Sequence, residues 1–185
     1  MISYLGNCII YISLILTILF YINLLSKIIP STTLSLKLIY FINLIPFGLL
    51  VYAFSISDFT LLNVVENSYV DDPIFYKVTS AWGSHEGSIL LWVFLINLFG
   101  VFFLYKNQTV EIHKNILFIS TLFILYVVIS SNPFTYVEAN ENILGLGLNP
   151  ILQHFLFVIH PPTLFLGYIG LIIPFVISAH MLVNK

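Results

Sequence analysis

Charge is what this sequence has least of. Asp, Glu, Lys and Arg make up 8% of its 185 residues, where a soluble domain carries about a quarter. All six basic residues are lysines, and the formal net charge is -2. There is therefore no basic patch of the kind that holds nucleic acid, and no nucleic-acid partner is expected. A single cysteine, Cys8, excludes an internal disulfide, a CxxC redox pair and a Cys/His zinc site. In its apolar run Cys8 reads as a small buried hydrophobe. The chain also lacks a Walker loop, a dinucleotide fingerprint and a nucleophile–base–acid triad. No internal repeat is visible. The N-terminus has no basic stretch ahead of its apolar run, and that run is too long for a signal peptide.

Apolar runs are what the sequence does have, with 59% hydrophobic residues. About 20 such residues in a row cross a bilayer. The spacing predicts an all-α polytopic bundle forming a single transmembrane domain over 1–185, with spans at Ile2 to Leu25, Leu38 to Ser57, Val78 to Tyr105, Asn115 to Ser131 and Pro161 to Val183. Pro46 inside the second span predicts a kink, with neighbouring helices re-pairing the freed carbonyl. Two longer loops, 58–77 and 132–160, lie on one side; Leu61 to Val65 predicts a short interfacial turn, and Ile151 to Ile159 a short surface helix. Lys27, Lys37, Lys106, Lys114 and Lys185 fall on the opposite side. The positive-inside rule then places the N-terminus and both longer loops outside, with lipid around the spans. On this reading His113 is solvated in an inner loop and His180 is interfacial.

Two stretches carry the chemistry. The first is Ala81-Trp-Gly-Ser-His-Glu-Gly-Ser-Ile-Leu-Leu-Trp92. On one continuous helix Gly83 and Gly87 would share a face as a GxxxG seam. His85 would share a face with Ser88, Ile89 and Trp92. Glu86 is a carboxylate near a membrane boundary, which needs a partner or a water-filled cavity. Belt tryptophans and a packing seam account equally well for the glycines and for Trp82 and Trp92.

The second stretch runs from Asn149-Pro-Ile-Leu-Gln-His154 to His160-Pro-Pro-Thr-Leu-Phe-Leu-Gly-Tyr-Ile-Gly170. Asn149-Pro150 marks a turn. Pro161 and Pro162 suit the first positions of a helix, where their missing N–H groups cost nothing. His160 would then sit at the mouth of that helix, a neutral ring with a lone pair for a metal. The alternative is a hydrogen-bonded interfacial histidine. His154 reads as an interfacial residue in contact with water, and Gln153 is its neighbour at the start of the surface helix. Gly167 and Gly170 would allow another helix close, with the Tyr168 hydroxyl in the seam. Phe155, Phe157 and Phe165 are candidates for an apolar slot.

Together and in this order, Trp82-Gly-Ser-His-Glu-Gly-Ser88 with Leu90-Leu-Trp92, and Asn149-Pro-Ile-Leu-Gln153 with His160-Pro-Pro-Thr-Leu-Phe-Leu-Gly-Tyr168, resemble the two outer-face segments of CcmF-type cytochrome c haem lyases. The resemblance covers about Val78 to Phe175. It implies that His160 is an axial ligand to haem iron, the haem b being substrate or bound in the assembled complex. It implies a wall or orienting role for Trp82, Gly83, His85, Glu86, Gly87, Ser88, Trp92, Asn149, Pro150, Gln153, Pro161, Pro162 and Tyr168. It further implies a haem chaperone and an apocytochrome c with CxxCH thiols as partners. The family's tryptophan-rich motif and its further haem-ligating histidines do not occur in this sequence. That departure points to a split lyase whose other helices come from separate chains. The AT-rich flavour of the composition suggests a mitochondrial inner membrane, with the N-terminus in the intermembrane space; a bacterial inner membrane is the alternative. Two other readings stay open: a non-catalytic structural subunit of a membrane complex, and a proton-path subunit using Glu86.

Overall fold

A computed structural model describes residues 1–26, 33–105, 109–138 and 143–183. Lys27, Lys106 and Lys185, three of the lysines behind the expected orientation, lie outside this set. So does the side chain of Phe157. The chain forms α1 (Ile2–Ser26), α2 (Thr33–Ser55), α3 (Leu62–Asn67), α4 (Ile74–Gly83), α5 (His85–Tyr105) and α6 (Val110–Ser130). A 3-10 turn (Pro150–Leu152), α7 (Phe155–Gly170) and α8 (Ile172–Val183) follow. No strand occurs among the described residues; the single β-bridge pairs Leu61 with Tyr136. Five segments are long and apolar enough to cross a membrane: α1, Leu34–Ser55, α5, α6 and Val158–Val183. The protein is an all-α membrane bundle, as the apolar runs predict. We call the end that carries α3, α4 and the 131–154 loop the outer end.

Several of the expected boundaries are wrong, and α2 begins at Thr33 rather than at Leu38. The predicted third span, Val78 to Tyr105, is two helices. Ser84 leaves the helical conformation and its Oγ accepts the Gly87 N–H at 3.0 Å, an N-cap that starts α5. The fourth span begins at Val110, not Asn115. Glu111 and Lys114, which made this stretch look like a loop, form an i,i+3 ion pair at 2.9 Å on the first helical turns. His113 is therefore helical and buried, not solvated. The predicted surface helix over Ile151 to Ile159 and the span starting at Pro161 are also replaced. A 3-10 turn comes first, then α7 runs from Phe155 straight through Pro161 and Pro162. Lastly, the fifth span breaks at Leu171. Pro174 can neither donate to the Gly170 carbonyl nor pack against it, and it sits within the first turn of α8, where it is tolerated. Cys8, expected to be buried, is exposed. Pro46 is accommodated inside α2, which continues to Ser55.

The frame is α1, α2, α5 and α6. Buried polar side chains tie these four helices together across the apolar core. Thr17 on α1 pairs with Asn43 on α2, whose Nδ2 donates to Asn97 Oδ1 on α5 at 3.0 Å. Asn97 Nδ2 donates in turn to Ser120 Oγ on α6 at 2.8 Å. Such bonds fix which helix faces which when apolar packing alone is indifferent. At the inner end, the Tyr40 hydroxyl and His113 Nδ1 lie 3.0 Å apart. The Tyr40 ring packs onto the bare backbone of Gly100, where a Cβ would collide with it. At the outer end, Ser3 Oγ and Asn7 Nδ2 both donate to the Phe134 carbonyl, at 2.8 and 2.9 Å. The two outer loops are stitched together by Leu62 N–H to Thr135 O, Val137 N–H to Thr60 O and Leu146 N–H to Val65 O. The spans are enclosed unequally: 56% of the most apolar stretch of α5 is buried, against 11% for that of the Val158–Val183 span, which lies outside the frame.

Candidate functional site

The site is assembled from the elbow between α4 and α5, the 3-10 turn, and the first half of α7. At the elbow Gly87 meets the Ala81 carbonyl so closely that no Cβ fits between them. Ser88 Oγ donates to the Trp82 carbonyl at 2.8 Å. Gly83 and Gly87 consequently do not form the single GxxxG face that the sequence led us to expect. Gly83 looks out towards Leu148 and Leu152, and Gly87 closes the elbow on itself. The elbow holds the Trp82 ring against α7.

The turn before α7 is built by the residues singled out in its sequence. Asn149 Oδ1 accepts the Ile151 N–H at 3.0 Å, with Pro150 in the first position of the turn. Gln153 Nε2 donates to the Leu148 carbonyl, and its own carbonyl accepts from the Tyr76 hydroxyl, both at 2.8 Å. The chain is thus delivered to His154, the N-cap of α7. His154 Nδ1 accepts the Leu156 N–H at 3.3 Å. The helix mouth is at His154, then, and not at His160, which lies inside α7.

A proline pair inside a helix leaves carbonyls one turn earlier without their usual donors. For Pro162 that carbonyl belongs to Val158. The Trp82 indole Nε1–H donates to it at 3.2 Å. Thr163 Oγ1 donates back to the carbonyls of Ile159 and His160, at 3.1 and 2.9 Å. The Trp82 bond thus serves the carbonyl that Pro162 abandons, and α7 continues through both prolines. Further along, Phe165 meets the edge of Trp92 at 5.6 Å, and Trp92 also contacts Phe123 at 5.6 Å. Phe155 stacks on Phe75 at 6.4 Å.

His160 is exposed. It lines an open recess of about 620 Å3 together with His154, Leu156 and Ile159, a volume in the usual range for small-molecule sites. No hydrogen bond from a described residue reaches the His160 ring, so its nitrogens are unencumbered. Among the described residues no three His, Cys, Asp or Glu side chains converge on a metal position. An iron held at this recess would therefore bring most of its own ligands, as a porphyrin does.

Some predicted residues lie elsewhere. His85 is exposed, with Nδ1 3.2 Å from Ser131 Oγ. Glu86 lines a different cleft, of about 50 Å3, with Asn63, Glu66, Asn132 and Thr135. Gly167 and Gly170, expected to seat a neighbouring helix, have nothing within 4 Å of a built Cβ, and Tyr168 is exposed. His154, which the sequence reading left at the water interface, shares the recess with His160.

The sequence profile of the cytochrome C assembly protein family matches residues 82–185, more than half of the chain. The chain belongs to that family. The match opens at Trp82 and so takes in both motif stretches. The cytochrome c-type biogenesis protein CycK of Bradyrhizobium diazoefficiens is 43% identical over 125 residues, covering 64% of this chain and 19% of that protein. The protein CcmF of Haemophilus influenzae, of the same description, is 39% identical over 137 residues, covering 71% of this chain and 21% of that protein. A solved structure titled cytochrome c haem lyase CcmF superposes with a TM-score of 0.77 over 95% of this chain and 29% of that one, at 21% identity. The fold of this cytochrome c assembly protein is thus the fold of that lyase over the shared part. The chain spans about a fifth of the length of these curated relatives.

Proposed function

We propose that this chain is the haem-presenting, N-terminal part of a CcmF-type cytochrome c haem lyase. The observation that carries the reading is the His160 ring, free of hydrogen bonds from the described residues and lining the recess at the head of the fifth span. Haem b is the substrate, delivered by a haem chaperone at the outer face. When bound, haem supplies the vinyl groups to which the CxxCH thiols of apocytochrome c add. The residues of this chain bind and orient it. His160 offers an imidazole lone pair to the iron. Leu156 and Ile159 provide apolar surface for the macrocycle. Asn149, Pro150 and Gln153 set the turn, and Trp82 steadies α7 behind the recess through the Val158 carbonyl. Ser84, Gly87 and Ser88 in turn hold Trp82 in place.

His160 would supply one ligand to the iron, and a second would have to come from other helices. The helices that supply the rest pack, on this reading, against the bare face of α7 and α8, where Gly167, Gly170 and Tyr168 are uncovered. In the split arrangement they arrive on separate chains. The membrane is the inner membrane of a mitochondrion or bacterium, with α7 starting at its outer face.

The test is haem uptake by the purified protein in nanodiscs, followed by its absorbance. Native protein is expected to bind ferric haem, and His160→Ala to lose the axial-imidazole spectrum together with at least tenfold in affinity, the scale of one removed ligand or orienting partner. Equal binding and an unchanged spectrum for His160→Ala would refute the assignment. Affinity purification of the native assembly should also bring down chains carrying the missing helices.

A further inference from the structure

Two carboxylates at the outer end lie outside the recess, and no described residue neutralises them. Glu86, in the first turn of α5, and Glu66, on α3, line one cleft of about 50 Å3 with Asn63, Asn132 and Thr135. Neither carboxylate has an ion pair or hydrogen bond with a described residue; the ion pair among the described residues lies at the inner end, between Lys114 and Glu111. Lys77, the one lysine of the two outer loops, donates its Nζ to the Val70 carbonyl at 2.7 Å instead. Glu86 is half-buried, and a carboxylate at a membrane boundary is costly unless water or an opposite charge meets it. The cleft holds a second unmet group. Asn63 is 4% exposed. Its Oδ1 accepts from Asn67 Nδ2 at 3.1 Å, which sets the orientation of the amide. Its own Nδ2 has no partner among the described residues, and a buried donor left in that state is costly too. The walls around these groups are fixed. The Leu62 N–H donates to the Thr135 carbonyl at 3.0 Å, joining α3 to the 131–154 loop. Asn132 Nδ2 donates to Asn7 Oδ1 at 2.7 Å, and Asn132 Oδ1 accepts the Phe134 N–H at 2.9 Å. Thr135 Oγ1 gives its proton to the Asn132 carbonyl at 3.0 Å, so its lone pairs stay open.

We infer that this cleft is a calcium site, with Glu66 and Glu86 as its charged ligands and Thr135 Oγ1 and Asn132 Oδ1 as neutral oxygens beside them. All of these donors are hard oxygens. Calcium accepts about six to eight of them in adaptable geometry, whereas magnesium demands a near-ideal octahedron. Donors drawn from three separate segments suit the adaptable ion, and water fills its remaining positions. Asn63 is a positioning residue here, not a ligand. Its Nδ2–H orients a carboxylate that the ion holds, as donors behind metal ligands do. With only two charged ligands the site is weak, in the roughly 10⁻⁴ to 10⁻³ M range of extracellular calcium modules. The bound ion joins α3 to the start of α5, next to the elbow that carries Trp82.

The experiment is radioactive calcium uptake by the protein in phosphatidylcholine nanodiscs, with magnesium in excess throughout and empty nanodiscs as the blank. Native protein is expected to take up one ion per chain, half-saturating at roughly 10⁻⁴ to 10⁻³ M. It is also expected to melt about 3 °C or more higher once the site is filled, because an ion that binds only the folded chain stabilises it. Glu86→Gln and Glu66→Gln are each expected to lose the site and the calcium-dependent shift in melting temperature. Asn63→Leu, which keeps every ligand, is expected to weaken uptake about tenfold. Glu138→Gln removes an outer-loop carboxylate that does not line the cleft, and it is expected to bind as native does. The inference is overturned if native protein takes up no calcium in this range, or if Glu86→Gln and Glu66→Gln both bind like native. Equal losses in Glu138→Gln overturn it as well, since they report a diffuse acidic surface. Native-like uptake by Asn63→Leu overturns the role given to the amide. Glu66 is exposed, so Glu66→Gln gives the decisive readout where Glu86→Gln fails to fold. Haem is left out of every sample, so failure here leaves the reading of His160 standing, and an indifferent His160→Ala leaves this site standing.

Discussion

The indole of Trp82 donates a hydrogen bond to the carbonyl of Val158, the one that Pro162 is unable to serve. The two motif stretches are 76 residues apart in the chain, and this bond makes them one structural unit. It explains why a tryptophan at the elbow accompanies a proline pair in α7. The prolines alone would leave an unpaired carbonyl in a helix with little other support, and removing a donor from such a group costs about 1–3 kcal/mol.

A reciprocal pair of substitutions tests that coupling. Trp82→Phe keeps an aromatic ring but removes the N–H, and it is expected to destabilise the folded bundle by about 1–3 kcal/mol. Pro162→Ala restores a backbone N–H to Val158. In the Trp82→Phe background it is expected to recover most of the loss, while alone it has a smaller effect. Denaturant titrations of the four proteins measure the coupling. Additive effects would show that the indole and the proline act independently.

The elbow has its own test. Ser84→Ala removes the Oγ that accepts the Gly87 N–H, and the expected cost is about 1 kcal/mol. Ser84→Asn, which also caps well, is expected to stay close to native. Thermal melts of both variants check the difference. Because the elbow carries Trp82, Ser84→Ala should also weaken haem uptake at the recess on the other side of that ring.

Asn97 is the hub of the polar chain through the core, bonded to Asn43 and Ser120. Asn97→Ala leaves both partners short of a bond, at an expected cost of about 1–2 kcal/mol for hydrogen bonds inside a membrane bundle. Unfolding in mixed detergent micelles measures it. The spectrum of any haem bound at His160 should not change, since the frame and the recess are separate parts of the molecule.

The bundle was legible in the sequence because length and apolar content alone decide whether a segment spans. Helix ends were harder to read, because they depend on partners distant in the chain. Pro161 and Pro162 look like a helix start when only local preference is considered. They are interior residues because Trp82, far upstream, satisfies the carbonyl they abandon. The Ser84 break was concealed by strong apolar flanks, although a serine three residues ahead of a glycine N–H is a legible cap. His113 looked solvated beside Glu111 and Lys114, and nothing local announces that Tyr40 reaches it from α2. His154 was passed over since histidine is an uncommon N-cap, and sequence spacing does not show that two histidines six positions apart line one recess. The family resemblance supplied the role proposed for His160; the residues by themselves left it between a ligand and an interfacial side chain.

Cys8 carries the chain's one sulfhydryl, and it points outward from α1. A membrane-permeant thiol reagent will thus attach a spin label or fluorophore at a single place without any engineering. Ferric haem iron is paramagnetic, so under the proposed function the separation between label and metal would be measurable in the wild-type molecule, and the arrival of cargo could be followed by spectroscopy in an otherwise untouched protein.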